Sequence, residues 1–415
     1  MTASTKRPPQ RAWPGLAPDV LRDIRSRLPS LADRVRLRAI CRPWRTGVKL
    51  QPCRAPPHLP WLALPDGTAL DFAHNSAHRL RIPNDDDGPC YSAGESMFFH
   101  HGNDGRCSVV NGFSGAATPL PELADLLRSH MVNPCDEKKI ESKRSENMRI
   151  RKVAMSSMAS SPNHHRLLAV VASNCSKSRV FISTCRPAGE INSCVVTQET
   201  STILDIAFFQ GKMYAQVQIF QELLAVDLTD GWLDKPTPPG VRPQVKAFTS
   251  WIWPPDLQPE MYLKQFSHDN NPQEQVQQYL VESNGKLLLV RRYFRAPPPR
   301  IDRKQHLTCR FEVLEADLGD GPGLGLWKTA RSLDGWALFV GAACSKSFRA
   351  SDVDGARGDC VYFLLDHGNP LGHAGVYSVV HRTIVPFMRA SRRVRPRRWS
   401  WDSLRFPAWF FPVEV

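Results

Sequence analysis

Residues 203–232 read ILDIAFFQGKMYAQVQIFQELLAVDLTDGW, and this stretch contains the pattern that decides the fold of the chain. An apolar run leads to a turn at Gly211–Lys212, a second apolar run follows, and a third ends at Asp227–Leu228 before Trp232. Short runs rich in branched and aromatic residues, with turn residues between them, are typical of β-strands. The stretch therefore predicts a small antiparallel β-sheet.

The same order of features recurs in residues 279–327. YLVESNGKLLLVRRY turns at Gly285–Lys286, a proline-rich insert follows at 295–306, and FEVLEADLGDGPGLGLW ends this copy with Trp327. A third, looser copy occupies 337–379. Such repeats predict three- or four-stranded antiparallel meanders that cannot bury both faces alone, so they stack radially as the blades of a β-propeller. A β-sandwich is the alternative, but it does not explain repetition at this length.

Strand-length apolar runs continue along most of the chain after residue 60. At about 40–50 residues per blade, this part of the chain corresponds to six to eight blades. The proline-rich residues 51–60 predict a linker, and the densely charged residues 135–152 predict a mobile surface loop. We therefore place a β-propeller at 61–412. The apolar runs are Trp61–Leu64, Met97–Phe99, Cys107–Val110, Leu167–Val171, Val180–Ile182, Ile206–Phe209, Leu223–Val226, Leu287–Val290, Ala337–Val340, Val361–Leu365 and Val376–Val380.

Helical signals are concentrated before the linker, in residues 13–50, WPGLAPDVLRDIRSRLPSLADRVRLRAICRPWRTGVKL. Pro18 and Asp19 suit the first turn of a helix, Pro29 ends that helix, and Pro43 divides the next apolar stripe into two helices. Fewer than about 40 residues can hardly bury so much apolar surface, so one face is expected to meet a partner or to cap the rest of the chain. The apolar residues at helical spacing are Val20, Leu21, Ile24, Leu28, Leu37, Ile40, Cys41, Trp44 and Val48.

This helical segment resembles an F-box. The family pattern is Leu-Pro-x-Glu-Leu/Val-Leu, then Ile, then Leu-Pro, then Leu-x-Arg-x-Val-Cys-Lys/Arg-x-Trp, and its most specific part matches Arg38–Arg45. Two departures are visible, because Ala17 separates the first Leu from Pro and Asp19 replaces Glu. The resemblance implies a three-helix F-box at 13–50 that binds a Skp-type adaptor and, through it, a cullin-based ubiquitin ligase. The adaptor-binding residues that it implies are Leu16, Pro18, Leu21, Ile24, Leu28, Val35, Leu37, Ile40, Cys41 and Trp44.

The strand-rich part is similar to plant F-box proteins that carry a KIB-type β-propeller. This resemblance implies a propeller that recognises a client protein. The sequence departs from the family pattern at Gly112, Asp334 and Ala408. The matching blocks are LPWLALPDG (59–67), VNGFSGAATPLPEL (110–123), YLVESNGKLLLVRRY (279–293), SLDGWALFVG (332–341), GDCVYFLLD (358–366), GVYSVV (375–380) and PAWFFP (407–412).

Composition limits the compartment and the partners. No run approaches the roughly 18 apolar residues that span a bilayer, and the basic residues 1–12 read as a disordered tail without the apolar core of a secretory signal. The odd count of 11 cysteines, without a Cys-x-x-Cys pair, indicates reduced thiols. We expect a cytoplasmic or nuclear protein. The basic run 389–398 contributes to the net charge of +14, and it could be a nuclear-localisation patch or an RNA contact. We favour a solvated loop and do not expect nucleic-acid binding.

No motif for catalysis, a cofactor or a metal emerges from the sequence. The glycine run 319–325 lacks the Lys-Ser/Thr of a phosphate-binding loop, and it is interpreted as a flexible turn between blades. The pairs His100–His101 and His164–His165 are interpreted as surface turn residues, and Asp85–Asp87 as an acidic hairpin tip. We therefore expect a protein that is not an enzyme and that uses no cofactor.

Three functions remain open on the sequence. The favoured one is the substrate-receptor subunit of a Skp–cullin–F-box ubiquitin ligase, in which the helices bind the adaptor and the propeller binds a client. The alternative is a non-degradative propeller that binds and blocks a partner, with degenerate F-box helices. A propeller hydrolase is the third, and it would need acidic or His side chains converging at the central channel. The sequence leaves open the client and the propeller face that binds it.

Overall fold

In the residues that the computed structural model describes, N-terminal helices are followed by six β-sheets, and a further helix precedes the third sheet. No helix in the ranges given below is long and apolar enough to cross a membrane. The structure describes residues 15–28, 33, 37, 40–49, 59–73, 75–131, 148–156, 166–174, 176–186, 194–217, 223–228, 244–245, 248–250, 252–253, 274–295, 307–318, 325–366, 374–387 and 407–411.

The first two helices are α1 (Pro18–Arg27) and α2 (Arg42–Lys49). Helix α1 begins with Pro18 and carries Asp19 in its first turn and arginines in its last turn, where each charge complements the helix dipole. Between the two helices, Asp33 and Leu37 are also helical. The predicted N-terminal helical module is therefore present.

The six sheets follow one another along the chain as blades 1 to 6. Blade 1 contains β1 (Trp61–Ala63), β2 (Thr68–Asp71) and β3 (Ser76–Arg79), and blade 2 contains β4 (Cys90–Gly94), β5 (Met97–His101), β6 (Cys107–Asn111) and β7 (Ala117–Pro119). Blade 3 contains β8 (Arg149–Met155), β9 (Arg166–Ser173), β10 (Lys177–Cys185), β11 (Cys194–Thr197) and β12 (Thr200–Ser201). Blade 4 contains β13 (Ile203–Phe209), β14 (Lys212–Val217) and β15 (Leu223–Asp227).

The remaining strands complete the outer edges of three blades and form the last two sheets. Strand β16 (Gln244–Val245) pairs with β11 of blade 3, and β17 (Phe248–Ser250) pairs with β15 of blade 4. Blade 5 contains β18 (Ile252–Trp253), β19 (Glu274–Ser283), β20 (Lys286–Arg295), β21 (Leu307–Asp317) and β22 (Gly325–Thr329). Blade 6 contains β23 (Trp336–Val340), β24 (Lys346–Arg349), β25 (Cys360–Phe363), β26 (Gly375–Ser378) and β27 (Thr383–Pro386).

Strand β28 (Ala408–Phe410) closes the ring. It pairs antiparallel with β1, so that Phe410 lies opposite Trp61 and Trp409 lies opposite Leu62. The last described strand therefore belongs to the first blade. Closure of this kind leaves no gap between the first and the last blade.

Each pair of neighbouring blades shares one apolar cluster, so the core is divided into six sectors. A sheet that is apolar on both faces can be buried only between two others, which explains the radial stacking. The ring confirms the predicted mostly β architecture, and the number of blades is six. Pairs of residues that belong to the same cluster, one from each neighbouring blade and taken from blade 1 onward, are Trp61 and Phe98, Phe99 and Phe181, Ile182 and Met213, Tyr214 and Leu289, Val290 and Phe363, and Phe339 and Trp409.

The two clear sequence repeats are blades 4 and 5. Their first hairpins turn at Gln210–Gly211 and Asn284–Gly285, where all four residues have positive φ. Glycine reaches this region without steric cost, and turns of this type match the twist of the flanking strands.

Blade 6, the looser third copy, is not the simple meander that the sequence predicted. Strand β23 pairs parallel with β25, and β24 lies on the inner side of β23. The chain turns inward through residues 341–345, forms β24, and only then crosses to β25. The repeat pattern records the apolar runs, but it does not record the order in which they pair.

The prediction of a mobile loop at 135–152 was wrong for its last residues, 149–152. Residues 149–155 form β8, in which Ile150 and Val153 are buried in the cluster between blades 2 and 3. The alternation of buried and exposed residues in this strand is obscured in the sequence by arginine and lysine. Lys152 is one of the buried residues, and its charge is paired with the carboxylate of Asp205. Residues 132–147, the tail 1–12 and the basic run 389–398 lie outside the described residues.

Two further interpretations of the sequence need correction. Helix α3 (Pro121–His130) follows β7, and it buries Leu123 and Leu127 between blades 2 and 3. Its proline at the first helical position was an available start signal. His100 and His101 lie within strand β5 and are half-buried, not in a surface turn.

Candidate functional site

The N-terminal helices form a compact module with its own apolar cluster. Leu21, Leu37 and Trp44 are 1%, 5% and 7% exposed and constitute its core. The helices approach closely at Gly47, where a Cβ atom would stand 2.9 Å from Leu21 Cδ1. These three residues of the predicted adaptor-binding set therefore stabilise the module from inside.

The other described members of that set lie around this core or on the surface. Ile40 is 60% exposed, Pro18 is exposed, and Val20, which was not in the predicted set, is 44% exposed. Val35 lies outside the described residues. The partly buried members, which pack against the core, are Leu16, Ile24, Leu28 and Cys41. The motif thus divides into an internal part and an outward apolar part.

A second candidate site lies at the centre of the propeller. Strands β28, β4, β8, β13, β19 and β24 form the inner edges of the six blades, and each strand in this order contacts the next one directly. They enclose a cavity of about 120 Å³ to which every blade contributes. The charged side chains that line it are Glu95, Lys152, Glu282 and Lys346, and the large apolar ones are Met155, Ile206, Phe208, Leu280 and Phe411.

Lys152, which lines this central cavity, belongs to a buried ion pair. The Nζ atom of Lys152 lies 2.8 Å from Oδ1 of Asp205, and both side chains are less than a tenth exposed. Asp205 also accepts hydrogen bonds from the backbone N–H groups of Ile206 and Leu280, at 2.8 and 2.9 Å. Burial raises the pKa of the Asp205 carboxyl, and the Lys152 ammonium opposes that rise. The pair connects blades 3, 4 and 5.

Ala342 joins this ion pair to a second buried network. Its carbonyl accepts a hydrogen bond from Lys152 at 2.9 Å, and its N–H donates to Asp366 at 2.7 Å. Asp366 also accepts from the hydroxyl of Tyr279 at 2.6 Å and lies 3.6 Å from Nη1 of Arg292. Burial, followed by the negative charge of Asp366, raises the pKa of Tyr279 well above its ordinary value. Blades 3 to 6 are therefore joined by one continuous set of polar contacts.

Glu95 occupies the point where blades 1, 2, 3 and 6 meet. Its carboxylate oxygens lie 2.9 Å from Lys346 and 3.1 Å from Arg166, and its carbonyl accepts the N–H of Phe411 at 3.0 Å. Burial favours a higher pKa for Glu95, but the two cations hold it below the ordinary value of 4.5. Its φ of +51° is costly for glutamate, by about 1–3 kcal/mol. The surrounding contacts hold the residue in this conformation.

These central groups hold neighbouring blades together through ion pairs and hydrogen bonds. In the described ranges, no three His, Cys, Asp or Glu side chains are grouped so that they could hold a metal ion. None of Glu95, Lys152, Asp205 and Asp366 was predicted as a site residue from the sequence. A usable signal existed for two of them, because Asp205 interrupts ILDIAFF and Lys152 interrupts RIRKVAM, and a charge within an apolar strand requires a partner.

The closed ring of six sheets defines the class of the protein as a six-bladed β-propeller. Residues 67–378 match the family described as KIB1-4 beta-propeller. This match covers most of the chain, and the chain belongs to that family. No curated protein matches it significantly.

Solved structures with a related shape are distant in sequence. A mutant of the Synechocystis apocarotenoid oxygenase aligns with a TM-score of 0.31 and 9% identity over 71% of this chain, which spans only 58% of that enzyme. An ancestral GH74 enzyme aligns with a TM-score of 0.27 and 9% identity, covering 65% of this chain and 37% of that one. The computationally designed Ika8 protein aligns with a TM-score of 0.25 and 9% identity, covering 80% of this chain and 98% of that one. We draw no functional argument from these likenesses.

Proposed function

We propose that this chain is the substrate-receptor subunit of a Skp–cullin–F-box ubiquitin ligase. The N-terminal helices bind a Skp-type adaptor, which connects the chain to a cullin, and the propeller binds a client protein for ubiquitination. The resemblance of residues 13–50 to an F-box and the KIB1-4 beta-propeller that follows it support this proposal.

The observation that carries the proposal is the division of the F-box-like motif. Leu21, Leu37 and Trp44 provide a core that lies within the helices, so the module does not need the propeller to bury them. Ile40 and Val20 remain exposed on its surface. A contiguous exposed apolar patch marks a protein-interaction site, and we propose that Val20 and Ile40 belong to such a patch.

The chain itself performs no chemistry in this proposal. A receptor accelerates ubiquitin transfer because it holds the client near the ligase, which raises the effective concentration of the reacting groups. The transfer belongs to other subunits. We place the protein in the cytoplasm or the nucleus, where these complexes operate.

Co-purification with a Skp-type adaptor tests the proposal. Ile40→Asp puts a charge on the exposed apolar surface without touching the core, and we expect it to abolish adaptor binding. Val380→Asp is the matched control, since Val380 is 55% exposed but lies on blade 6, after β26.

We expect the control variant to bind like the wild-type chain, and a chain that starts at residue 55 to fail to bind. Adaptor binding that survives both Ile40→Asp and the truncation would refute the role of the helices. No binding by the intact chain would favour a stand-alone propeller that blocks its partner.

A further inference from the structure

The central cavity has the size of one amino-acid side chain. Its volume is about 120 Å³. An engineered apolar cavity of about 150 Å³ holds benzene, whereas pockets for drug-sized ligands and cofactors occupy about 300–1,000 Å³. The cavity is therefore too small for a nucleotide or a flavin, but it can take a short chain of methylenes with one polar end.

The walls of the cavity suit such an occupant. Carbon atoms of Met155, Ile206, Phe208, Leu280 and Phe411 provide apolar contact from four blades. Long charged side chains bury their methylene stems against surfaces of this kind while the charged end finds a polar partner. The sign of that charge depends on which lining group is free to receive it.

Three of the four charged lining groups already have partners of opposite charge. Lys152 pairs with Asp205 at 2.8 Å, and Lys346 pairs with Glu95 at 2.9 Å. Glu282 is exposed, and no ion pair of its carboxylate occurs in the described part of the chain. It is thus the one lining carboxylate that can receive a cation without breaking a contact.

An anion would meet a less favourable arrangement. To reach Lys346 it would have to approach Glu95 and Glu282, or displace Glu95 from both Lys346 and Arg166. The backbone at Glu282 is held in place, because Ser347 Oγ donates a hydrogen bond to its carbonyl at 2.8 Å. The backbone that carries this side chain, near the end of β19, is therefore fixed.

We propose that the central cavity binds one lysine side chain of the client protein, with Glu282 receiving the ammonium group. The assignment of that lysine to a client rests on the proposed function, whereas the preference for a cation does not. The client then contacts the face of the propeller on which this central cavity opens.

Ligand-observed saturation-transfer NMR on the full chain tests the preference for a cation. The probes are n-butylammonium chloride, which reproduces the end of a lysine side chain, and sodium butyrate at the same ionic strength. We expect saturation transfer to n-butylammonium and none to butyrate. Equal transfer to both, or transfer to butyrate alone, would overturn the assignment.

Glu282→Gln should weaken n-butylammonium binding by about tenfold, the size of one charge-assisted hydrogen bond. Glu315→Gln is the control, because Glu315 lies on β21 of the same blade and pairs with Lys286 outside the cavity. Unchanged binding by Glu282→Gln, with the wild-type unfolding midpoint, would also overturn the proposal. If the glutamine variant unfolds earlier than the wild type, Glu282→Ala repeats the comparison.

Adaptor co-purification on the same preparations separates this proposal from the proposed function. Binding of n-butylammonium without binding of the adaptor would refute the receptor role and leave the cavity assignment intact. For a client captured on the adaptor complex, acetylation of its lysines should weaken binding about tenfold. Unaffected client binding would refute a client lysine as the occupant.

Discussion

The helical module and the propeller bury their cores in opposite ways. In the module, Leu21, Leu37 and Trp44 come from one short segment. In the propeller, the ring closes only when Trp409 and Phe410 reach blade 1 from the other end of the described chain. Contacts between residues close in sequence cost little chain entropy. Ring closure costs more, because the intervening chain must be ordered before the contacts between the first and last strands can form. The module can therefore be predicted from its local sequence, whereas the closure of the ring depends on contacts between distant parts of the chain.

The two regions also differ in how they use charge. In the module the ion pairs of Arg22 with Asp19 and Asp23 lie on the surface, although Arg25 of the same helix is buried. Such pairs contribute little. The propeller buries Lys152 with Asp205 and Arg292 with Asp366 where several blades meet. Buried pairs demand fixed geometry, because a single missing partner leaves a charge without compensation.

Trp409→Ala should destabilise the propeller without destabilising the helical module. The side chain is fully buried, and its Nε1 donates to the carbonyl of Val340 at 2.9 Å. We expect a loss of about 5 kcal/mol from the free energy of unfolding of the propeller, the upper end for a buried tryptophan. Urea unfolding followed by near-UV circular dichroism measures it. The control Val385→Ala, at a 40% exposed position, should change stability by less than about 0.5 kcal/mol.

Lys152→Met tests whether the central ion pair is structural. Removal of one partner should cost about 4 kcal/mol, because Asp205 is left charged and buried. The double variant Lys152→Met/Asp205→Asn should recover part of that loss. Urea unfolding of both variants gives the comparison, and a double variant less stable than the single one would show that Asp205 does not depend on Lys152.

Trp44→Ala should destabilise the helical module without destabilising the propeller. Its neighbours Leu16, Ile24, Leu28 and Cys41 are only partly buried and can collapse into the space, so we expect about 3 kcal/mol, the low end of the usual range. Adaptor binding should fall while the unfolding midpoint of the propeller stays unchanged. Normal adaptor binding by this variant would show that the core of the module is placed wrongly.

Prediction from the sequence succeeded where a pattern is local and periodic. The hairpins of blades 4 and 5 were predicted because each turn contains glycine and each strand has its apolar run, but the turns lie at Gln210–Gly211 and Asn284–Gly285, one residue earlier than predicted. It failed at β8, where Arg149, Arg151 and Lys152 obscure a buried strand. The charge of Lys152 is acceptable there only because Asp205 lies on the neighbouring blade.

The sequence by itself determined the class of fold: mostly β, built from repeated small sheets after a helical module. These features follow from side-chain periodicity and turn chemistry within a few residues. Only the tertiary structure decided the number of blades, the inner position of β24 and the identity of the central residues. Glu95, Lys152, Glu282 and Lys346 belong to four different blades and meet only when the ring closes. No local pattern records that meeting, because it depends on how six separate sheets pack around one axis.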